Sequence, residues 1–137
     1  MKNINRWMIF MLILASLLSA CAPKSSTSTK VNPVTLEPIE GTDFKRIILT
    51  EKAAQRLDIK TAEVGGDTIP YAAVIYDTEG HTWVYTNPDA LTFVRAPIVI
   101  DHIEGDQVVL SQGLDSGTKV VTLGVSELYG AETGVSK

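Results

Sequence analysis

Apolar and polar residues alternate in short bursts along most of the chain, and the bursts are punctuated by glycine, asparagine and aspartate. Tyr71 to Tyr76 and Thr82 to Thr86 are strand-like runs on either side of Asp77-Thr78-Glu79-Gly80. Glycine at the last turn position predicts a hairpin there, with Trp83 and Tyr85 on one face. Upstream, Phe44 to Leu49 reads as a strand. Thr50 then predicts an N-cap for a short helix over 51–57, because Ala53, Ala54 and Leu57 recur at spacings of three and four and Glu51 suits the first turn. Ile59 to Val64 alternates as a strand, and Gly65-Gly66-Asp67 breaks it. Downstream, Asn87-Pro88-Asp89 reads as a turn, and Leu91 to Ile100 as a strand in which Pro97 predicts an edge position or a bulge near Ala96. Gln107 to Leu110 and Lys119 to Leu123 are further strands behind turns at Glu104-Gly105-Asp106 and Asp115-Ser116-Gly117. Tyr129, within Ser126 to Tyr129, is expected to pack a final short turn. The pattern predicts a mainly β fold: a small β-roll or barrel of about six to eight short strands with one short helix.

The first twenty residues follow another pattern. Lys2 and Arg6 precede an almost wholly apolar run from Trp7 to Leu18, and Leu18-Ser19-Ala20-Cys21 follows at once. The run is too short for a spanning helix, which needs roughly 20 residues, and fits the apolar region of a secretory signal. It resembles a bacterial lipoprotein signal peptide, with Leu18, Ser19 and Ala20 as the lipobox and Cys21 as the lipidated residue. Two or three acyl chains, at about 0.8 kcal/mol per buried methylene, would hold the protein on a bilayer. With Ala22 after the cysteine, the same resemblance favours the periplasmic face of the outer membrane in a Gram-negative cell, or otherwise the outer face of the cytoplasmic membrane. From residue 21 to 43 the chain is rich in Ser, Thr, Lys and Pro and reads as a flexible linker. The expected organisation is a signal peptide over 1–20, a linker over 21–43 and a β domain over 44–137.

Charge narrows the function. The chain has 12 Lys and Arg against 16 Asp and Glu, for a net charge of −4. Lys2 and Arg6 lie in the signal, so the remainder carries 10 − 16 = −6. A net negative domain without a basic run is a poor nucleic-acid binder, since such binding rests on neutralising phosphates.

Catalytic patterns are missing. Gly113-Leu114-Asp115-Ser116-Gly117 puts its serine in the wrong place for a nucleophile elbow, and Gly124-Val125-Ser126-Glu127-Leu128 lacks the second glycine. No enzymatic activity and no cofactor are expected. Asp77, Glu79 and His81 share one turn, and Asp101, His102, Glu104 and Asp106 another, so oxygen and imidazole ligands could meet if the loops converged. Acidic turns are more often solvated, and no metal site is expected. All three methionines fall in the signal region, so the domain has no thioether for a soft metal. Trp83, Tyr85 and Phe93 are the large aromatics of the domain. Core packing is the simpler reading, and a partner-docking patch formed by Trp83 and Tyr85 with Arg95 is the functional one.

One order of residues ties these pieces together: Ile69-Pro70, Ala73-Val74, Gly80, Thr82-Trp83-Val84-Tyr85, Phe93-Val94, Gln107-Val108-Val109-Leu110, Gly113-Leu114, Gly117, Val120-Val121 and Gly124. It resembles the carboxy-terminal, membrane-proximal domain of the periplasmic adaptor subunits (membrane fusion proteins) of resistance-nodulation-division efflux pumps, in the HlyD-like superfamily. The resemblance covers about residues 69–135. The segment from Ile47 to Val64 is similar to the piece that precedes the first barrel strand in the same adaptors. There the two pieces are separated by barrel, lipoyl and helical hairpin domains, whereas here Gly65 to Thr68 joins them. The resemblance implies a stand-alone membrane-proximal β domain that sits against a transporter or adaptor subunit of a transmembrane efflux assembly. The alternatives are a small-ligand or metal-binding envelope lipoprotein, or a degenerate adaptor remnant.

Overall fold

Alternation over 45–123 becomes hydrogen-bonded sheet. The structure is a computed structural model that describes residues 32–134; the lipobox Leu18, Ser19 and Ala20 and the lipidation site Cys21 lie outside the described residues. In chain order the elements are β1 (Val34–Pro38), β2 (Lys45–Leu49), α1 (Glu51–Arg56), β3 (Lys60–Glu63), β4 (Thr68–Pro70), a 3-10 turn (Tyr71–Ala73), β5 (Ile75–Tyr76), β6 (Thr82–Asp89), β7 (Thr92–Glu104), β8 (Gln107–Gln112), β9 (Lys119–Leu123) and α2 (Val125–Thr133). The described residues are mainly β. The sheet runs β1-β2-β7-β6-β9-β3, with β5 on β6, β8 on β7 and β4 on β8.

The sheet stays open, so the barrel alternative does not hold. The reason lies in β7, which is thirteen residues long. Its first half pairs with β2 and β6, and from Val99 onward it pairs with β8. The sheet therefore branches along β7, and its end strands β1 and β3 do not pair with each other. Pro97 lies opposite Trp83, after the β2 pairing ends at Val94 and before the β8 pairing begins at Val99. A residue without an N–H suits that gap. The expected irregularity falls beyond it, as register shifts between Val99 and His102.

Four segments depart from expectation. Residues 34–38, read as linker, form β1, whose five residues all pair with β2. Only Val34 is half-buried, so backbone pairing rather than apolar burial orders this strand, and its short alternation of Val34 and Leu36 between Pro33 and Pro38 conceals it. Tyr71 to Ala73, read as strand, forms the 3-10 turn: the Tyr71 N–H reaches the Asp106 carbonyl at 2.8 Å and Ala73 is fully buried. Asn87-Pro88-Asp89, read as a turn, lies within β6 at a register shift between Thr86 and Asp89. The Asn87 amide donates to the carbonyls of Asp89 and Thr92 at 2.7 and 2.9 Å, and the reversal occurs at Leu91, whose φ is 62°. Finally, the expected turn around Tyr129 is the nine-residue helix α2. Gly124, at φ 88°, turns β9 into that helix, and a Cβ there would run into the Ile59 side chain.

β6 and β9 are buried on both faces. Val84 and Val120 point into an aliphatic core with Ile69, Ile98, Val108 and Leu110. Tyr85 and Val121 point the other way, toward Ile47, Leu49, Phe93 and Leu128. Each such side chain contributes about 1.5–3 kcal/mol of transfer free energy, offset by the entropy of ordering the chain. Thr50 caps α1 as expected, accepting from the Ala53 N–H at 3.2 Å.

Candidate functional site

Period-two alternation puts Trp83 and Tyr85 on one face of β6, and the antiparallel register sets Tyr85 opposite Arg95 and Trp83 opposite Pro97 on β7. These two neighbouring rungs have different chemistry. The first is closed. α2 lays Leu128 and Glu132, four residues apart, against it, and Glu132 is 3% exposed. Its Oε2 accepts from the Tyr85 hydroxyl at 2.5 Å and lies 3.2 Å from Arg95 Nε. Its Oε1 accepts from the Lys45 N–H at 3.2 Å and the Arg95 Nη2 at 3.4 Å. The Arg95 Nε–H is buried and not aimed for a hydrogen bond, so the contact there is coulombic. The guanidinium carbon lies 4.6 Å from the ring centroid of Phe44, 5.1 Å from Trp83 and 5.7 Å from Tyr129, so three aromatic rings share the cation. Burial, and then the Glu132 carboxylate, push the Tyr85 hydroxyl well above the ordinary tyrosine pKa.

The second rung is open. Trp83 packs edge-on against Phe44, with ring centroids 5.0 Å apart, and its indole N–H donates to Asp77 Oδ2 at 2.9 Å. Asp77 organises the hairpin turn: Oδ1 accepts from the Glu79 and His81 N–H groups at 2.9 and 2.8 Å, and Oδ2 lies 3.0 Å from His81 Nδ1. The Trp83 bond is the largest cause holding the Asp77 carboxyl below the usual carboxylate range; partial burial opposes it, and the donors from His81 and Glu79 reinforce it.

Beyond this rung the same face opens into an apolar cleft of about 580 Å³ lined by Tyr76, His81, Trp83, Pro97, Val99 and Ile103. Tyr76, Val99 and Ile103 are 50, 49 and 50% exposed. They are three of the six exposed large apolar residues among the described residues, so the uncovered apolar surface is concentrated here.

The three residues expected to contact a partner are thus brought together but divided in role. Tyr85 has no exposed surface and Arg95 is 12% exposed in its side chain, so both support the face from beneath. Trp83 is partly buried and belongs to both the core and the cleft. Asp77, Glu79 and His81 bring ligand atoms within 4.8 Å of one another. The Asp77 carboxylate is already engaged by the indole, two backbone N–H groups and the imidazole, which is the work of a turn organiser. His102 sits apart from that cluster, 2.8 Å from its neighbour Asp101. Sequence reasoning missed Glu132, Tyr76, Val99 and Ile103. The spacing Val125, Leu128, Tyr129, Glu132 is a helical stripe that could have pointed to Glu132. Against protein-family models, curated proteins and solved structures, the chain gives no match.

Proposed function

We propose that the chain is a non-enzymatic envelope lipoprotein, held on a bilayer through Cys21, whose β domain binds a protein component of a transmembrane efflux or export assembly. The observation that carries the binding role is the cleft of Tyr76, Trp83, Val99 and Ile103, apolar, half-exposed and built mostly on paired strands rather than on a loop. The side-chain chemistry around it favours contact over catalysis. Both histidines are exposed and face carboxylates, His81 at the hairpin turn and His102 near the end of β7, and the hydroxyls of Ser111, Ser116 and Ser126 meet backbone groups or Glu127 rather than an imidazole. The efflux setting rests on the order of residues from Ile69 to Gly124, and the anchor on the Leu18-Ser19-Ala20-Cys21 pattern.

A photo-crosslinking residue at Val99 or at Ile103, in cells expressing the full chain, tests this. The expected result is one discrete adduct from both positions, containing a transporter or adaptor subunit, and none from Lys119 on β9. Failure to capture such a subunit from either position would overturn the reading. Cys21→Ser is expected to abolish incorporation of labelled palmitate into the chain.

A further inference from the structure

The cleft has a charged surround that says what kind of segment fits it. Two segments border it, the turn at 77–81 and the end of β7 with the turn after it at 101–106, and they carry Asp77, Glu79, Asp101, Glu104 and Asp106 with two histidines and no lysine or arginine. From Tyr76 to Asp106 the one lysine or arginine is Arg95, and it is committed to Glu132 beneath the aromatic rings. The apolar floor at Trp83, Pro97, Val99 and Ile103 therefore lies between acidic rims. The chain itself enters the domain at the other end of β7: Val34 pairs with Leu49, whose N–H reaches the Leu91 carbonyl at 2.9 Å. From Thr92 to Val99 is about 23 Å at roughly 3.3 Å per residue.

From this, and resting on the partner-binding reading above, we infer that the cleft takes a segment of a partner protein in which one or two large apolar side chains are flanked by lysine or arginine. The apolar side chains fill the space over Trp83, Val99 and Ile103, and the flanking cations face Glu79, Asp101 and Glu104. An anionic lipid surface is repelled by the same rim. Such complementarity acts on association rate and partner choice, and it weakens with salt.

The test uses the full chain in neutral detergent and three labelled twelve-residue peptides, read by fluorescence anisotropy. One has two leucines flanked by lysines, one has glutamates in place of the lysines, and one has serines in place of the leucines. The lysine-leucine peptide is expected to bind about ten-fold or more tighter than either control and to weaken as salt rises. Asp101→Asn with Glu104→Gln is expected to remove the preference over the glutamate peptide. Val99→Ser with Ile103→Ser is expected to weaken binding about ten-fold, whereas Leu36→Ser, at an exposed apolar site on β1, leaves it unchanged. Equal binding of the lysine and glutamate peptides overturns the inference, as does equal loss with Leu36→Ser. Displacement of the peptide by phosphatidylglycerol nanodiscs would make the occupant a bilayer. A doubling of mass in sedimentation that Val99→Ser with Ile103→Ser abolishes would make it a second copy. The peptides can fail while crosslinking from Val99 still captures a transport subunit, in which case the partner-binding reading stands without its basic ligand. The reverse pair of results removes the efflux setting and keeps the ligand chemistry.

Discussion

The rung formed by Tyr85 and Arg95 and the next rung, Trp83 and Pro97, share one face of the same two strands and differ in what covers them. Over the first lies α2, which brings a carboxylate into a place otherwise lined by Leu49, Phe93 and Leu128. Over the second no described element lies, and the face continues to Val99 and Ile103. The contrast teaches that polarity and exposure run opposite to habit here: the charged residues are inside and the large apolar ones are at the surface. A buried ion pair is weak evidence for stability, since desolvation offsets most of its attraction. What Glu132 supplies is position, because Tyr85, Arg95 and the Lys45 N–H all converge on it and fix α2 against the sheet. On the reverse side of β6, Val84 packs against Ile69 and Val108 with no polar group. That core holds without such a lock.

The largest effect expected from breaking this contrast is at the closed rung. Glu132→Ala leaves the Arg95 guanidinium buried without its counter-charge and should cost about 3–5 kcal/mol in urea unfolding. Replacing both partners, as Glu132→Leu with Arg95→Met, should recover most of that loss, since the uncompensated charge is gone.

Tyr85→Phe comes next. It removes a donor from a buried carboxylate, at a cost of about 1–3 kcal/mol near neutral pH. It should also change the alkaline limb. The folded-state pKa of Tyr85 is raised, so its contribution is fully present below the unfolded value of about 10 and is lost as pH rises above it. Stability of the native chain should then fall by about 1.4 kcal/mol per pH unit more steeply than that of the Phe variant. Parallel slopes from pH 9.5 to 11 would contradict the buried geometry of Tyr85.

A smaller effect lies at the open rung. The Asp77 carboxyl is held below its usual range chiefly by the Trp83 indole, so the stability this gives is present above about pH 4 and is lost as pH falls below it. Trp83→Phe should flatten the acid limb of the urea midpoint between pH 5 and 2. An unchanged acid limb would show that the indole bond does not govern Asp77.

How much of this was legible from residues depends on whether local pattern or distant packing decides. The strand class, the Thr50 cap and β9 at Lys119–Leu123 follow from alternation and turn chemistry, which are local. β1 escapes because its order comes from pairing with β2, and its apolar period is only Val34 and Leu36, bounded by Pro33 and Pro38. α2 escapes because Gly130 lowers the helix propensity of its middle and because Glu132 reads as a solvated charge until Arg95, 37 positions earlier, is seen beside it. At the candidate site, Trp83, Tyr85 and Arg95 were identifiable as neighbours by alternation. Their division into support and surface was not, since it depends on where α2 lands.

The central claim is that support and contact are separate functions of one sheet face, and the Val99→Ser with Ile103→Ser chain tests it most directly. Both substitutions fall on half-exposed side chains, so its urea midpoint should match that of the native chain within the equivalent of about 0.5 kcal/mol per site. In the same chain, with the crosslinking residue placed at Tyr76, capture of the partner should be lost. A fall in stability of several kcal/mol would make Val99 and Ile103 part of the core, and undiminished capture would show that the cleft is not the contact surface.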